Sequence, residues 1–143
     1  MAADDPLQVA VRALGHRDLS AAGVDARLAR AGVDADEREE TLETLRRVGY
    51  VDDGRFARRR AETLADRGWG DAGIGEDLER QGVPVELREE ALGGLAPERE
   101  RAAAVVGDRG ASPRTARYLA GRGFAAETIE AVLIADDGHA GLG

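Results

Sequence analysis

"RLARAGVDADEREETL" (residues 27–42), "DLERQGVPVELREEAL" (residues 77–92) and "YLAGRGFAAETIEAVL" (residues 118–133) are three versions of one pattern. In each version a leucine is followed four residues later by a glycine and fourteen residues later by a second leucine. Successive versions are offset by 50 and then by 41 residues. A repeat of this length is typical of helical arrays, in which each repeat is one supersecondary unit.

Residues that start and stop helices surround each version of the pattern. Asp5, Ser20 and Ser112 are N-cap candidates, and Asp52 or Asp53 would cap another helix. Period-two alternation of β-branched residues is missing, so no strand is predicted. The sequence therefore predicts an all-α fold, an elongated array of three tandem three-helix repeats. We place the repeats at residues 1–53, 54–95 and 96–135, followed by a flexible tail at residues 136–143.

The spacing of apolar residues predicts which side chains face the interior. Leu7, Val11 and Leu14 share one face of the first helix, and the third helix has the apolar face Leu42, Leu45 and Val48. Units of this size bury little surface alone, so we expect neighbouring units to share packing contacts. We expect Tyr50 and Phe56 to pack between the first two units.

Composition limits the classes of function. The chain has a net charge of −8, no cysteine, and twenty basic residues that are all arginine. The acidic charge disfavours DNA as the main partner, because DNA affinity comes from neutralising phosphates. The missing cysteine excludes disulfides and cysteine-ligated zinc. No apolar run is long enough to span a membrane and Met1 begins no secretory signal, so we expect a cytoplasmic protein without membrane contact. We also expect a monomer.

Two segments are basic against this acidic background. Residues 54–70 hold five arginines and two acids, net +3, and residues 101–124 hold five arginines and one acid, net +4. A guanidinium suits carboxylate or phosphate recognition equally, so residue type does not separate a protein partner from DNA. Arg58 and Glu62, four residues apart, could form a local ion pair, and a solvated helix face remains the alternative for any one arginine. The candidate partner-binding residues are Arg55, Arg58, Arg59, Arg60, Arg114, Arg117, Arg122 and Trp69.

The sequence does not predict a catalytic site. His16 and His139 lie far apart, and Ser20 and Ser112 are helix caps without a histidine beside them. The glycine-rich stretch "GWGDAGIG" (residues 68–75) follows no strand and lacks the lysine of a phosphate-binding loop. We therefore expect a protein that is not an enzyme, with no catalytic residue, cofactor or metal.

The stretch "GYVDDGRFARRRAETLADRGWG" (residues 49–70) resembles the central motif of the RecX family, bacterial regulators of the recombinase RecA. The motif residues are Gly49, Tyr50, Val51, Asp52, Asp53, Arg55, Phe56, Ala57, Arg67 and Gly68. The resemblance covers about residues 7–135 and implies three tandem three-helix units. It also implies a non-enzymatic modulator that lies in the groove of the RecA–DNA filament and inhibits strand exchange, ATPase activity and the coprotease role.

One helix departs from the family pattern. The segment "DAGIGEDLERQG" (residues 71–82) carries four acids and one arginine where family members are rich in lysine and arginine. Two alternatives to RecA regulation therefore stay open. One is a helical-repeat scaffold, diverged from the family, that contacts neither RecA nor DNA. The other is direct DNA binding, which would weaken steeply as salt is added.

Overall fold

The computed structural model describes residues 5–140, with side chains to residue 136. Within that range the chain forms nine helices and no strand, which confirms the predicted all-α class of three-helix repeats. The helices are α1 (Pro6–His16), α2 (Ala21–Arg30), α3 (Ala35–Arg47), α4 (Asp53–Asp66), α5 (Asp71–Arg80), α6 (Val85–Gly93), α7 (Glu98–Arg109), α8 (Pro113–Gly121) and α9 (Ala126–Ala140). None of these helices is long and apolar enough to cross a bilayer.

The predicted caps form as the sequence indicates. The side chains of Asp5, Ser20 and Ser112 accept hydrogen bonds from backbone N–H groups in the first turns of α1, α2 and α8. Asp52, rather than Asp53, caps α4 by accepting from the N–H of Arg55 at 3.0 Å. Such caps depend only on residues within one helical turn, which is why the sequence alone predicts them.

The interior consists of three separate apolar clusters, one for each set of three helices. The first contains Val24, Leu28 and Leu45, the second Ile74 and Leu78, and the third Leu119, Val106 and Phe124, among others. All extensive helix–helix contacts lie inside a set: α1 to α3, α4 to α6, or α7 to α9. We call these sets units 1, 2 and 3.

Helix α1 buries a different face from the one that its large apolar residues predict. Leu7 is 38% exposed and Val11 is 42% exposed, whereas Ala10 is fully buried and Ala13 nearly so. The cause is the position of α1, which packs mainly along α2, whereas α4 and α7 pack mainly against the third helix of their unit. The small alanine side chains form the buried face of α1, so the prediction for Leu7 and Val11 is wrong.

The segment that leads into unit 2 also differs from expectation. Val48 is 56% exposed and Tyr50 is 57% exposed, so neither packs as predicted. Gly49 has a φ of +83°, and this left-handed turn directs the chain away from α3 at that point. Phe56 is buried as expected, but within the unit 2 cluster and not between the units.

Units 1 and 2 meet where the end of α5 lies against the start of α2. The hydroxyl of Ser20 donates to the carbonyl oxygen of Gln81 at 2.6 Å. The N–H of Ala21 donates to the carboxylate of Asp53 at 2.8 Å. A side chain on Gly82 would overlap with Ala22, so the two backbones approach closely.

Units 2 and 3 meet in the same manner, with the end of α8 against the start of α5. The N–H of Gly70 donates to the carbonyl of Arg122 at 2.8 Å, and the N–H of Ala72 donates to the carbonyl of Gly123 at 3.2 Å. A Cβ on Gly70 would lie 2.6 Å from backbone atoms of Gly123, and one on Gly73 would lie 2.7 Å from the carbonyl oxygen of Arg122.

The second helices of the three units therefore follow one another end to end. Carbonyls at the end of α8 accept from backbone N–H groups at the start of α5, which otherwise lack partners within their own helix. At the start of α2, a carbonyl at the end of α5 accepts from the hydroxyl of Ser20. The units are joined by polar and backbone contacts, and the apolar clusters remain separate. Neighbouring units therefore share contacts as expected, and these contacts are made by polar and backbone groups.

The predicted tail begins inside the last helix. Helix α9 continues to Ala140, so residues 136–140 of that tail are helical, and its flexibility stays a prediction. Residues 141–143, the remainder of that tail, lie outside the described range.

We predict that Gly123→Ala destabilises the protein more than Gly32→Ala. The two glycines correspond in the repeat and have φ values of +82° and +84°, so both substitutions place alanine in the left-handed region. That conformation costs about 1–2 kcal/mol for a residue other than glycine. Only the new Cβ at position 123 would collide with Gly73, whereas nothing lies within 4 Å of that at position 32. The clash should add roughly 2 kcal/mol.

Urea unfolding followed by the fluorescence of Trp69 measures this difference, because the single tryptophan lies at the junction of units 2 and 3. Equal losses of unfolding free energy in the two variants would contradict the close approach at Gly123.

Candidate partner-binding surfaces

The two aspartates of the central motif have different roles. Asp52 caps its own helix, and the hydrogen bond from the N–H of Arg55 is the main reason why the pKa of its carboxyl lies below the ordinary value. Asp53 instead reaches unit 1 and accepts from Ala21. The pair "DD" therefore caps one helix in each of two units, a role that spacing along the chain does not reveal.

The four arginines of α4 divide into two kinds. Arg55 donates to the carbonyl of Gly49 at 3.0 Å, and Arg60 binds the carboxylate of Asp77 through two hydrogen bonds. Arg58 and Arg59 are exposed, and neither forms an ion pair within the described residues. The predicted pair of Arg58 with Glu62 does not form there. Half of the predicted cluster is thus committed to internal contacts.

The acids of α5 are also partly committed. Asp77 is held by Arg60, whose hydrogen bond is the main cause of a pKa of Asp77 below its usual value. Asp71 accepts from Arg101 of α7 at 2.8 Å, which ties unit 3 to unit 2. Glu76 and Glu79 are exposed. Two of the four acids that distinguish this helix from the family pattern therefore form internal ion pairs that stabilise the array.

The candidates in unit 3 separate in the same way. Arg114 and Arg117 are exposed on α8 without an ion pair in the described part of the chain. Arg122 is half-buried, and its guanidinium carbon lies 4.8 Å from the ring centre of Trp69 and 5.2 Å from that of Tyr118. Arg122 and Trp69 thus contribute to the junction of units 2 and 3.

A groove that the sequence did not predict lies between units 1 and 2. Its volume is about 380 Å³. Four arginines line it, and Phe56 and Leu64 provide apolar side chains. We call it the arginine groove and define it by Arg17, Arg59, Arg60 and Arg67.

The repeat contains a signal for two of the arginines in this groove. Arg17 and Arg67 occupy the same place in the turns "HRDLS" (residues 16–20) and "DRGWG" (residues 66–70), 50 residues apart. Arg109 stands in the corresponding turn of unit 3, where it lies 3.6 Å from the ring centre of Tyr118. One arginine therefore marks the turn before each second helix.

The described residues contain no cluster of histidine and acidic side chains that could hold a metal ion. Among the predicted partner-binding residues, Arg58 and Arg59 on α4 and Arg114 and Arg117 on α8 are exposed, and the arginine groove is a further accessible feature. Guanidinium groups in such positions can bind carboxylates or phosphates of another molecule without any chemical step.

Comparison with known proteins identifies relatives over most of the chain. A family model described as RecX, second three-helix domain, matches residues 52–92. Regulatory protein RecX of Acidithiobacillus ferrooxidans is 36% identical and covers 90% of this chain and 89% of its own length. Regulatory protein RecX of Thermus thermophilus is 38% identical, with 84% of each chain covered.

Solved structures show the same fold. The crystal structure of RecX from Lactobacillus salivarius has a TM-score of 0.81 at 17% identity, covering 95% of this chain and 99% of that chain. A second crystal structure, of regulatory protein RecX, has a TM-score of 0.75 at 19% identity and covers 91% of this chain and 73% of its own. The overall fold is thus shared at low sequence identity.

We predict that Asp77→Asn lowers the free energy of unfolding by about 1 kcal/mol at pH 7, as expected for a well-formed ion pair near the surface. The pKa of Asp77 is lower in the folded state than its ordinary value of 3.8. At a pH near 3.8 the folded protein therefore binds fewer protons than the unfolded chain. The stabilisation is therefore complete above about pH 4 and is lost as the pH falls through the folded pKa.

Urea unfolding of both proteins at pH 7 and at pH 3 measures this effect. Glu79→Gln, the same change of charge at an exposed site on the same helix, serves as control. A difference between wild type and Asp77→Asn that stays constant across this pH range would argue against the pair with Arg60.

Proposed function

The chain belongs to the RecX family of regulatory proteins, and we propose that it binds the recombinase RecA, or its filament on DNA, and inhibits strand exchange and ATPase activity. The observation that carries this proposal is identity of 36% to a regulatory protein RecX across 90% of the chain. The match includes all three units, so the proposal concerns the whole array and not only the unit that contains the motif.

The distribution of exposed arginines supports binding to an extended partner. Arg58 and Arg59 belong to unit 2, and Arg114 and Arg117 belong to unit 3. Contacts from two linked units act together, because binding of one raises the effective concentration of the other. An array that contacts neighbouring subunits of a filament in this way would obstruct its function by occupancy, and catalysis by the regulator would not be needed.

This proposal places the protein in the cytoplasm, acting as a monomer without a cofactor in DNA recombination and repair and in the SOS response. The contact is proposed to be mainly with the recombinase. DNA would contribute little, since the net charge of −8 opposes long-range attraction to phosphates.

The alternative is a scaffold for some other protein, without contact to RecA or DNA. Glu76 and Glu79 motivate it, because they leave the surface of α5 acidic where a DNA-facing helix would be basic. The other two acids of α5 give this alternative less support. Asp71 is paired with Arg101 and Asp77 with Arg60, so both carboxylates already have partners within the array.

We predict that the protein lowers the DNA-dependent ATPase of purified RecA at stoichiometric concentration, and that the double variant Arg114→Glu, Arg117→Glu needs at least about tenfold more protein for the same inhibition. Reversal of two exposed charges replaces attraction by repulsion in any contact with carboxylates or phosphates, and tenfold corresponds to about 1.4 kcal/mol. The assay contains RecA, single-stranded DNA and ATP.

The matched control is Arg46→Glu, Arg47→Glu, the same change of charge at exposed positions of α3. It should inhibit as wild type does. Absence of any effect of the wild-type protein on ATPase and strand exchange, together with no co-sedimentation with the filament, would leave the scaffold alternative.

A further inference from the structure

The arginine groove has the features of a docking site for a short peptide. It lies between the turn that joins α1 to α2 in unit 1 and the length of α4 in unit 2. Arg17, Arg59 and Arg67 are exposed and form no ion pair within the described residues, whereas Arg60 is held by Asp77. Three cationic side chains thus converge on one groove without anionic partners, apart from Asp18 at its lining.

The groove also contains an apolar part. Leu64 is half-buried and Phe56 is only 3% exposed, and both contribute to the lining. A volume of about 380 Å³ is at the lower end of the range for binding pockets, so it suits a few residues of a peptide and not a folded domain. Cationic groups around an apolar floor complement a segment that carries an apolar side chain between carboxylates.

The groove fits nucleic acid less well. Proteins that hold single strands stack bases on exposed aromatic rings, and the ring of Phe56 offers no exposed face. The rings of Trp69 and Tyr118 lie outside this groove and are already covered by arginines. The net charge of −8 further opposes a long polyanion, but opposes a short acidic segment less.

We propose that the arginine groove binds a short acidic peptide segment of a partner protein, with an apolar side chain against Leu64 and carboxylates on Arg17, Arg59 and Arg67. This inference rests on the proposed function, because the acidic segment would belong to the protein partner proposed there and would bind arginines of α4. It adds Arg17 and Arg67, which come from the turns of two different units. A bound peptide would contact both units and hold their relative position.

The test uses the full chain and three fluorescein-labelled probes of matched length. The first is the acidic peptide Asp-Glu-Leu-Glu-Asp, the second has glycine in place of leucine, and the third is an oligodeoxythymidylate. Fluorescence anisotropy at low salt measures binding of each probe. The leucine peptide should bind with saturation, the glycine peptide about tenfold more weakly, and added salt should weaken both.

Variants locate the site. Arg59→Ala combined with Arg67→Ala should weaken binding of the leucine peptide by at least about tenfold. Neither side chain has an ion pair to lose within the described residues, so the variant should fold, and circular dichroism checks this. Arg46→Ala combined with Arg47→Ala, on exposed positions of α3, is the matched control and should bind as wild type does.

Three results would overturn the inference. The first is no saturable binding of the leucine peptide up to about millimolar concentration, a range in which even weak contacts are measurable. The second is equal binding by the groove variant and the wild type, and the third is tighter binding of the oligonucleotide with the same sensitivity to the variant. Because this assay contains no recombinase, it can succeed when the ATPase experiment fails, and the reverse. The two proposals are therefore tested separately.

Discussion

The placement of the third unit depends on a close approach of two backbones, at Gly123 on one side and at Gly70 and Gly73 on the other. Among the described residues the three apolar clusters are separate, so no common core there fixes the units relative to one another. Hydrogen bonds from Gly70 and Ala72 connect the end of α8 to the start of α5. They form only because no side chain separates the two backbone segments. Carbonyls at a helix end and N–H groups at a helix start are oppositely polarised, so this end-to-end arrangement is favourable for both helices.

The same arrangement determines which arginines can reach a partner. Arg101 and Arg122 are drawn into the junction of units 2 and 3 by Asp71 and by aromatic rings, and Arg60 is held by Asp77. Arginines on α8 and on one side of α4 remain exposed. Two acids of α5 therefore have a structural function. The acidic composition of this helix is for that reason a poor guide to the partners that it could bind. In this array the net charge of a segment does not describe the charge that the segment presents.

The candidate site could be predicted in part. The sequence indicates both basic helices, and it places Arg58, Arg59, Arg114 and Arg117 among the candidates that prove to be exposed. It does not distinguish them from arginines that the tertiary structure pairs with distant acids. Nor does it predict the arginine groove, because Arg17 and the arginines of α4 are about forty residues or more apart and meet only when units 1 and 2 pack.

The sequence by itself determined the helices, their caps and the repeat, since a cap such as Ser20 and a stop such as Gly32 act through residues within one turn of the chain. Only the tertiary structure decided which face of α1 is buried, why Tyr50 is exposed, and that Asp53 caps a helix 32 residues away. These features depend on how one helix lies against another, and a side chain's neighbours in space are not its neighbours in sequence. Local hydrogen bonding therefore specifies the elements, and the packing at the glycine turns specifies the surface that a partner would meet.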